Sequence, residues 1–427
     1  MSNSPNQKPI HTRQMPRWLV LFLPAVASFL LLFFCFYALN TAHATSQSNT
    51  LLESENSLLP PNQTARGSSR FAEHYESRTI RHTSGVAWGD MDGDGDLDLA
   101  VGNGLFDERD SIAVNQIYIN DGTGVFTSEI DIGSIADNTR AVAWGDWDGD
   151  GDLDLAVAND GQPNRVYENV SGQLKLNPEI GLGWTASMTS SSTSLAWGDW
   201  DSDGDLDLAV GNNAAPNQVY QNISGTLQLS WESAISPSMQ TRGVAWADWD
   251  SDGDLDLTFA NYTGVDQIYE NISDTFKLDP ANDLGWQSQA VDELQAEFKE
   301  CNPNQYWGDT VSRDFATSTR TLSWGDWDND GDLDLATGGG SDVGACGAFL
   351  NVYDNISGTL QLGDGAGWQM VDELSTIKPA SIVWADWDGD GDLDLVVGNN
   401  AGSGRGEVNQ VYENIGGELQ LDPGLLF

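Results

Sequence analysis

The chain has 427 residues and sets 65 Asp and Glu against 18 Lys and Arg, a formal net charge of −47, with 39% hydrophobic residues. That apolar share suffices for a packed core, while so acidic a surface repels nucleic acid and anionic membrane and excludes both as partners. Three of the bases, Lys8, Arg13 and Arg17, lie in the first 44 residues, which hold no acid, so the imbalance deepens downstream.

Residues 1–17 carry those bases, and Trp18 to Leu39 is an uncharged apolar stretch. Bases ahead of an apolar core mark an export signal, and Ala42-His43-Ala44 gives the small-x-small pattern of a cleavage site. The stretch also approaches the length of a membrane span. Residues 1–44 are therefore expected to be a signal peptide cleaved after Ala44, with an uncleaved N-terminal membrane anchor as the alternative. In either case the remainder is expected to be extracytoplasmic, secreted or at the cell surface. Residues 45–77 read as a low-complexity linker, rich in Ser, Asn, Gln and Pro at its start.

From residue 78 to residue 427 the chain is repetitive. The pattern D-x-D-x-D-G-D-L-D occurs at Asp90, Asp146, Asp199, Asp248, Asp326 and Asp386. Its carboxylates are Asp90, Asp92, Asp94, Asp96 and Asp98 in the first copy, then Asp146, Asp148, Asp150, Asp152 and Asp154, and Asp199, Asp201, Asp203, Asp205 and Asp207. The later copies hold Asp248, Asp250, Asp252, Asp254 and Asp256, then Asp326, Asp328, Asp330, Asp332 and Asp334, and Asp386, Asp388, Asp390, Asp392 and Asp394. Alternate carboxylates converge on one point only if the backbone curls sharply, and the glycine at position 6 permits that turn. Such a loop suits calcium, with side chains at positions 1, 3, 5 and 9 and the backbone carbonyl at position 7 as ligands. The position-7 side chains are expected to face solvent, and about six calcium ions are expected in all.

The flanks decide the architecture. Each loop follows a short apolar stretch ending in tryptophan, such as Val86-Ala87-Trp88 or Leu195-Ala196-Trp197. It precedes an alternating one such as Leu97-Asp98-Leu99-Ala100-Val101, so it is the turn of a β-hairpin and not the linker between two helices. A second hairpin follows, clear at Asn217 to Asn222 and Thr226 to Leu229 around Ser224-Gly225, giving four strands per unit. The anchor tryptophans Trp88, Trp144, Trp197, Trp246, Trp324 and Trp384 recur at the period of a propeller blade. Gln295 to Thr317 is an insertion.

Loop, flanking strands and period together resemble FG-GAP or VCBS-type repeats, as in integrin α-subunit propellers. The resemblance implies an all-β propeller of six or seven four-stranded blades, each with a calcium loop, acting in adhesion or protein interaction. Some fungal lectins and polysaccharide lyases resemble the same propeller, which leaves a calcium-dependent lectin as the alternative function and a lyase as a lesser one.

Other residues are weighed within this frame. Trp147, Trp200, Trp249, Trp327 and Trp387 sit at loop position 2 and are expected to pack between blades, whereas Trp184, Trp231, Trp286 and Trp368 are the better sugar-stacking candidates. Arg140, Arg242 and Arg320 stand four residues before an anchor tryptophan and are expected at one mouth of the ring, paired with a neighbouring blade's carboxylate. Asn169, Asn222, Asn271 and Asn355 begin glycosylation acceptor patterns that turn chemistry also explains. Cys301 and Cys346 leave a disulfide and two separate thiols equally open. Downstream of Ala44 the few histidines and lysines form no convergent set, and no nucleophile elbow, zinc pattern or phosphate loop occurs. The chain is expected to be no enzyme, with an extracellular protein or glycan as its ligand.

Overall fold

The computed structural model describes residues 82–105, 113–123, 125–234, 239–282, 284–288, 318–340, 348–362, 367–372, 379–399 and 409–421. The leader, the linker, the insertion, Cys301 and Cys346 lie outside these residues.

Six antiparallel sheets follow one another along the chain. The first comprises β1 (Thr83–Gly89), β2 (Asp98–Asn103), β3 (Gln116–Asn120) and β4 (Phe126–Asp131). The second has β5 (Thr139–Gly145), β6 (Asp154–Asn159), β7 (Arg165–Asn169) and β8 (Leu174–Lys175), with β9 (Trp184–Thr185) also paired to β7. The third has β10 (Ser192–Gly198), β11 (Asp207–Asn212), β12 (Gln218–Asn222) and β13 (Leu227–Glu232). The fourth has β14 (Thr241–Ala247), β15 (Asp256–Asn261), β16 (Gln267–Asn271) and β17 (Phe276–Lys277), with β18 (Trp286–Gln287) on β16. The fifth has β19 (Thr319–Gly325), β20 (Asp334–Gly340), β21 (Ala348–Asn355) and β22 (Leu360–Gln361), with β23 (Trp368–Asp372) on β21. The sixth has β24 (Pro379–Ala385), β25 (Asp394–Asn399), β26 (Gln410–Asn414) and β27 (Leu419–Leu421). Each sheet is a blade whose strands run in sequence order from the axis outward, and the first strands of successive blades touch one another. The protein is a six-bladed all-β propeller, with a short fifth strand added in three blades.

Every second strand is buried on both faces, because it is sandwiched between two neighbouring blades. The sequence meets this with a large-to-small alternation. Leu155 and Val157 of blade 2 press on Ala100 of blade 1, and Leu208 and Val210 of blade 3 press on Ala156 and Ala158 of blade 2. The leucine that follows position 9 is at most 2% exposed in every blade, so each contributes about 1.5–3 kcal/mol of burial.

The anchor tryptophans lock the inner strands. Trp144, Trp197, Trp246 and Trp384 each donate their indole N–H to a first-strand carbonyl of the preceding blade, those of Ala87, Ala143, Ala196 and Ser323, at 3.2–3.3 Å. The glycine after the preceding anchor makes room: a Cβ on Gly198 would lie 2.7 Å from Cδ1 of Trp246. Blade 4 departs from this rule with Ala247 and Thr258 in place of Gly and Ala, and the Trp324 indole donates to Thr258 Oγ1 instead, at 3.2 Å. Replacing Gly198 with Ala should therefore cost about 1–3 kcal/mol in denaturant unfolding. Adding Ala209→Thr, which rebuilds the blade 4 arrangement, should recover part of that loss.

Candidate metal centres and the bonds that join them

The hairpin between first and second strands is the loop in every blade. Its position-6 glycines have φ of 95–102°, a left-handed conformation that the tight curl demands. In five loops this glycine donates its N–H to Oδ2 of the position-1 aspartate, at 3.0–3.1 Å. In all six the position-7 N–H donates to Oδ1 of position 5, at 2.9–3.0 Å. The backbone thus folds over its own acidic side chains and turns their remaining oxygens inward.

Oxygens of Asp90, Asp92 and Asp94, and of Asp199, Asp201 and Asp203, lie within 4.8 Å of one another, at positions 1, 3 and 5. Oxygens of Asp146, Asp148 and Asp154, of Asp248, Asp250 and Asp256, and of Asp326, Asp328 and Asp334 do so at positions 1, 3 and 9. Two oxygens on one hard cation, each about 2.3–2.6 Å from it, can be no further apart than roughly 5 Å, so these clusters could each hold an ion. A second feature agrees: Oδ1 of Asp146, Asp199 and Asp248 is buried and accepts no hydrogen bond. A buried carboxylate oxygen without a donor is costly unless a cation meets it. Position 7 differs from expectation, since most of its side chains are half-buried and only Asp152 is exposed. Asp332 Oδ2 accepts the Ser357 N–H at 3.0 Å, and Asp392 Oδ1 accepts Asn329 Nδ2 of blade 5 at 2.9 Å.

Position 9 is the hub. Its aspartate is 0–1% exposed in every blade. Oδ2 accepts the position-2 N–H of its own loop at 2.7–3.1 Å. Oδ1 accepts the N–H of the asparagine ending the third strand, at 2.7–2.9 Å. Burial pushes Asp154, Asp207, Asp256 and Asp334 up to about 7 against the pull of those N–H groups. A bound cation reverses that shift, because it favours the ionised form.

The same asparagine carries the bond between blades. Asn169, Asn222, Asn271, Asn355 and Asn414 donate Nδ2 to the position-2 carbonyl of the preceding blade's loop, at 2.5–2.8 Å. These bonds form a belt that passes from loop to loop through each position-9 carboxylate. Sequence reasoning took four of these asparagines as turn residues with an acceptor pattern. The turn role holds, since Oδ1 of Asn169, Asn222 and Asn355 accepts the turn glycine's N–H at 2.9 Å, but the side chains are also interior, 0–1% exposed, and the signal that could have revealed the bond between blades is their recurrence in Asn120 and Asn414, where no Ser follows.

The sugar-stacking candidates also turn inward. Trp184, Trp231, Trp286 and Trp368 pack edge-on against Tyr220, Tyr269, Tyr353 and Tyr412 of the following blade, with ring centroids 5.0–5.4 Å apart. Of the position-2 residues, Trp147, Trp200, Trp249 and Trp327 are buried between blades as expected, and Trp387 is half-buried.

The opposite end of the first strands carries three arginines. Arg140 forms a 2.7 Å ion pair with Asp160, the residue just past its own blade's second strand and not a neighbouring blade's carboxylate. Arg242 and Arg320, from two blades, lie 5.5 and 5.1 Å from the Tyr262 ring centroid. Nearby, Asp266 replaces the asparagine that in blades 1 and 2 donates Nδ2 to the next blade's hydroxyl, Thr139 or Ser192, at 2.9 Å. Those hydroxyls in turn donate to Asn159 and Asn212. Thr319 faces Gly339 instead, and its hydroxyl donates back to Asp266 Oδ2 at 2.7 Å. Burial pushes Asp266 up to about 7. Its folded pKa exceeds its unfolded value, so its contribution to stability is full below about pH 4 and is lost as pH rises through 7. Asp266→Asn should therefore gain on the native protein between those limits, by on the order of 4 kcal/mol at most. Urea unfolding in saturating calcium at pH 5 and pH 8 measures this, and an unchanging offset would refute it.

Family models for FG-GAP-like repeats match residues 106–157, 146–210 and 199–259, and one for the FG-GAP repeat matches residues 82–119. Residues 82–259 carry FG-GAP and FG-GAP-like repeats. The matched FG-GAP residues hold the first four loops, and blades 5 and 6 repeat their geometry. No curated protein matches the chain. Among solved structures, the propeller is similar to the computationally designed protein Ika8, at 12% identity over 75% of this chain and 69% of that one, with a TM-score of 0.41. It is also similar to Raptor from Chaetomium thermophilum, at 10% identity over 82% and 25% with a TM-score of 0.47. A chain of the mitotic checkpoint complex matches at 14% identity over 88% of each, with a TM-score of 0.49.

Proposed function

We propose that the chain is an exported, calcium-binding propeller that serves as an interaction module, secreted or at the cell surface, without turnover of its ligand. The observation that carries the metal part is the buried, donorless oxygen of position 1 among converging carboxylates. An all-oxygen donor set suits a hard cation, and several carboxylates on a short loop favour calcium over magnesium, which keeps more of its water. The ions are structural, because the ligands lie in hairpin turns tied to the blade seams. Millimolar extracellular calcium would fill weak sites of this kind. The partner, an extracellular protein or glycan, meets the end away from the loops, where Arg140, Arg242 and Arg320 gather. The inward tryptophans weigh against a lectin.

Equilibrium dialysis of residues 45–427 against calcium tests the first part. About six ions should bind, with dissociation constants around 10⁻⁴–10⁻³ M, and no uptake at millimolar calcium refutes it. A glycan array in calcium and in chelator tests the second. A blank array on the loaded protein is expected, and calcium-dependent binding of one glycan family would replace this reading with the lectin.

A further inference from the structure

The third-strand residue just before the belt asparagine divides the blades. It is Glu168 in blade 2, Glu270 in blade 4 and Asp354 in blade 5, but Ile119 in blade 1 and Gln221 in blade 3. All are half-buried. Gln221 shows where this register leads, since its Nε2 donates to Oδ2 of Asp201, the position-3 carboxylate of its own loop, at 2.5 Å. Blades 2, 4 and 5 place an acid at the register where blade 3 places that donor. Burial first, and then neighbouring carboxylates, push the position-3 groups Asp148, Asp250 and Asp328 above the ordinary range, and Glu168, Glu270 and Asp354 are among those neighbours. Burial raises Asp201 as well, but the Gln221 bond works against the shift.

Each acid is held in place by the outer edge of its blade. Glu168 Oε2 accepts the Gly183 N–H and Glu270 Oε2 the Gly285 N–H, both at 2.9 Å, and Asp354 accepts the Gly367 N–H. These glycines have φ of 67–68° and run so close to the third strand that an added Cβ would lie 2.4 Å from the carbonyl oxygen of Val166, Ile268 or Val352. The next residue in each case is the tryptophan that begins β9, β18 or β23. The blades with a fifth strand are therefore those with the acid held this way, and blade 3, with Gln221, has none. Lys175 and Lys277 oppose Glu168 and Glu270 across their hairpins, but Gln361 opposes Asp354, so a lysine partner is not what the three acids share. Glu413 of blade 6 stands at the same register opposite Gln420, and among the described residues no fifth strand meets it.

A neutral amide would accept a glycine N–H as an acid does, so holding the outer strand does not by itself account for a carboxylate beside a loop that already carries five. Like charges fixed near one another disfavour the ionised state until a cation joins them. We propose that Glu168, Glu270 and Asp354 are further determinants of calcium binding, which make the loops of blades 2, 4 and 5 the tight sites and leave those of blades 1 and 3 the weak ones. The inference rests on the calcium reading above and adds to it residues that lie outside the nine-residue loop. Its physical basis is charge count and rigidity, the two quantities that grade affinity among oxygen-ligand calcium loops. The acid supplies the first, and its bond to the glycine supplies the second. One more fixed carboxylate is expected to tighten a site about tenfold.

Amide exchange followed by mass spectrometry at rising free calcium gives a midpoint for each loop of the exported chain, with circular dichroism confirming a folded ring across the range. The loops of blades 2, 4 and 5 should become protected at about tenfold lower calcium than those of blades 1 and 3. Glu270→Gln keeps an acceptor for the Gly285 N–H and removes the charge, so the blade 4 midpoint should rise about tenfold while blades 2 and 5 stay as they were. Gln221→Glu should lower the blade 3 midpoint by about the same factor. Equal midpoints in the native ring, or a midpoint unmoved in either folded variant, overturn the proposal. So does a Glu270→Gln ring that loses protection at Trp286 and Gln287 in saturating calcium while its blade 4 midpoint holds, which would assign Glu270 to the outer strand alone. If no loop of the native ring responds to calcium, the calcium reading itself falls, and this inference with it.

Discussion

Removing calcium with a chelator should lower the melting temperature further than any single substitution, to the point of unfolding the propeller at ambient temperature. The expectation follows from linkage: a ligand that binds only the folded state at one hundred times its dissociation constant stabilises by about 2.7 kcal/mol per site. Several such terms together equal the roughly 5–15 kcal/mol that holds an ordinary domain folded. The apo state is doubly penalised. Carboxylates at positions 1, 3 and 5 repel one another, and the position-9 aspartates are buried with pKa values raised towards neutrality. Calorimetry in calcium and in chelator decides it, and coincident melts would show that the loops hold no structural ion. Asp148→Ala, which removes one of the converging carboxylates, should cost far more than Asp152→Ala, which removes an exposed side chain.

Asn222→Ala should be the most damaging substitution outside the loops. The Asn222 side chain is fully buried; its Nδ2 donates to the carbonyls of Trp147 in blade 2 and Leu206 in blade 3, and its Oδ1 accepts the N–H groups of Gly225 and Thr226. Truncation leaves the two carbonyls without this donor between the blades, while the amides of Gly225 and Thr226 sit in a turn that solvent reaches. At about 1–3 kcal/mol for each buried polar group left unmet, a loss of 3 kcal/mol or more is expected. Asn222→Asp separates shape from hydrogen bonding, because it keeps the volume but replaces the donor with an acceptor facing two carbonyls. It should be at least as damaging in denaturant unfolding, and a mild effect from both variants would remove the belt as a determinant of stability.

Most of the architecture was legible because the loops and anchors recur in phase with the blades. Leu155 pressing on Ala100 follows from the same repetition, once a second strand is known to be covered on both faces. What the sequence could not convey was direction. Trp184 reads equally as an exposed platform or a seam residue, and only its edge-on contact with Tyr220 decides between them. Asn222 was hidden for a related reason: a turn residue and an inter-blade donor share one spelling, Asn-Ile-Ser-Gly. Asp266 lies beyond pattern altogether, since its partner Thr319 is 53 positions away and its meaning rests on Gly339 lacking the acceptor that other blades provide.

The loops all open at one end of the ring, and Arg140, Arg242 and Arg320 stand at the other. Such a particle is an electric dipole as well as a polyanion. A negatively charged surface would repel it as a whole while exerting a torque that turns the loops away and the arginines towards it. The torque acts only within about one Debye length, roughly 8–10 Å at physiological ionic strength and about 30 Å at about 0.01 M salt. A divalent ion in each loop would weaken the dipole without abolishing it, because each loop carries five aspartates. Ion occupancy would therefore set the orientation in an electric field: an ion-poor ring would align strongly, and a loaded one would tumble more freely.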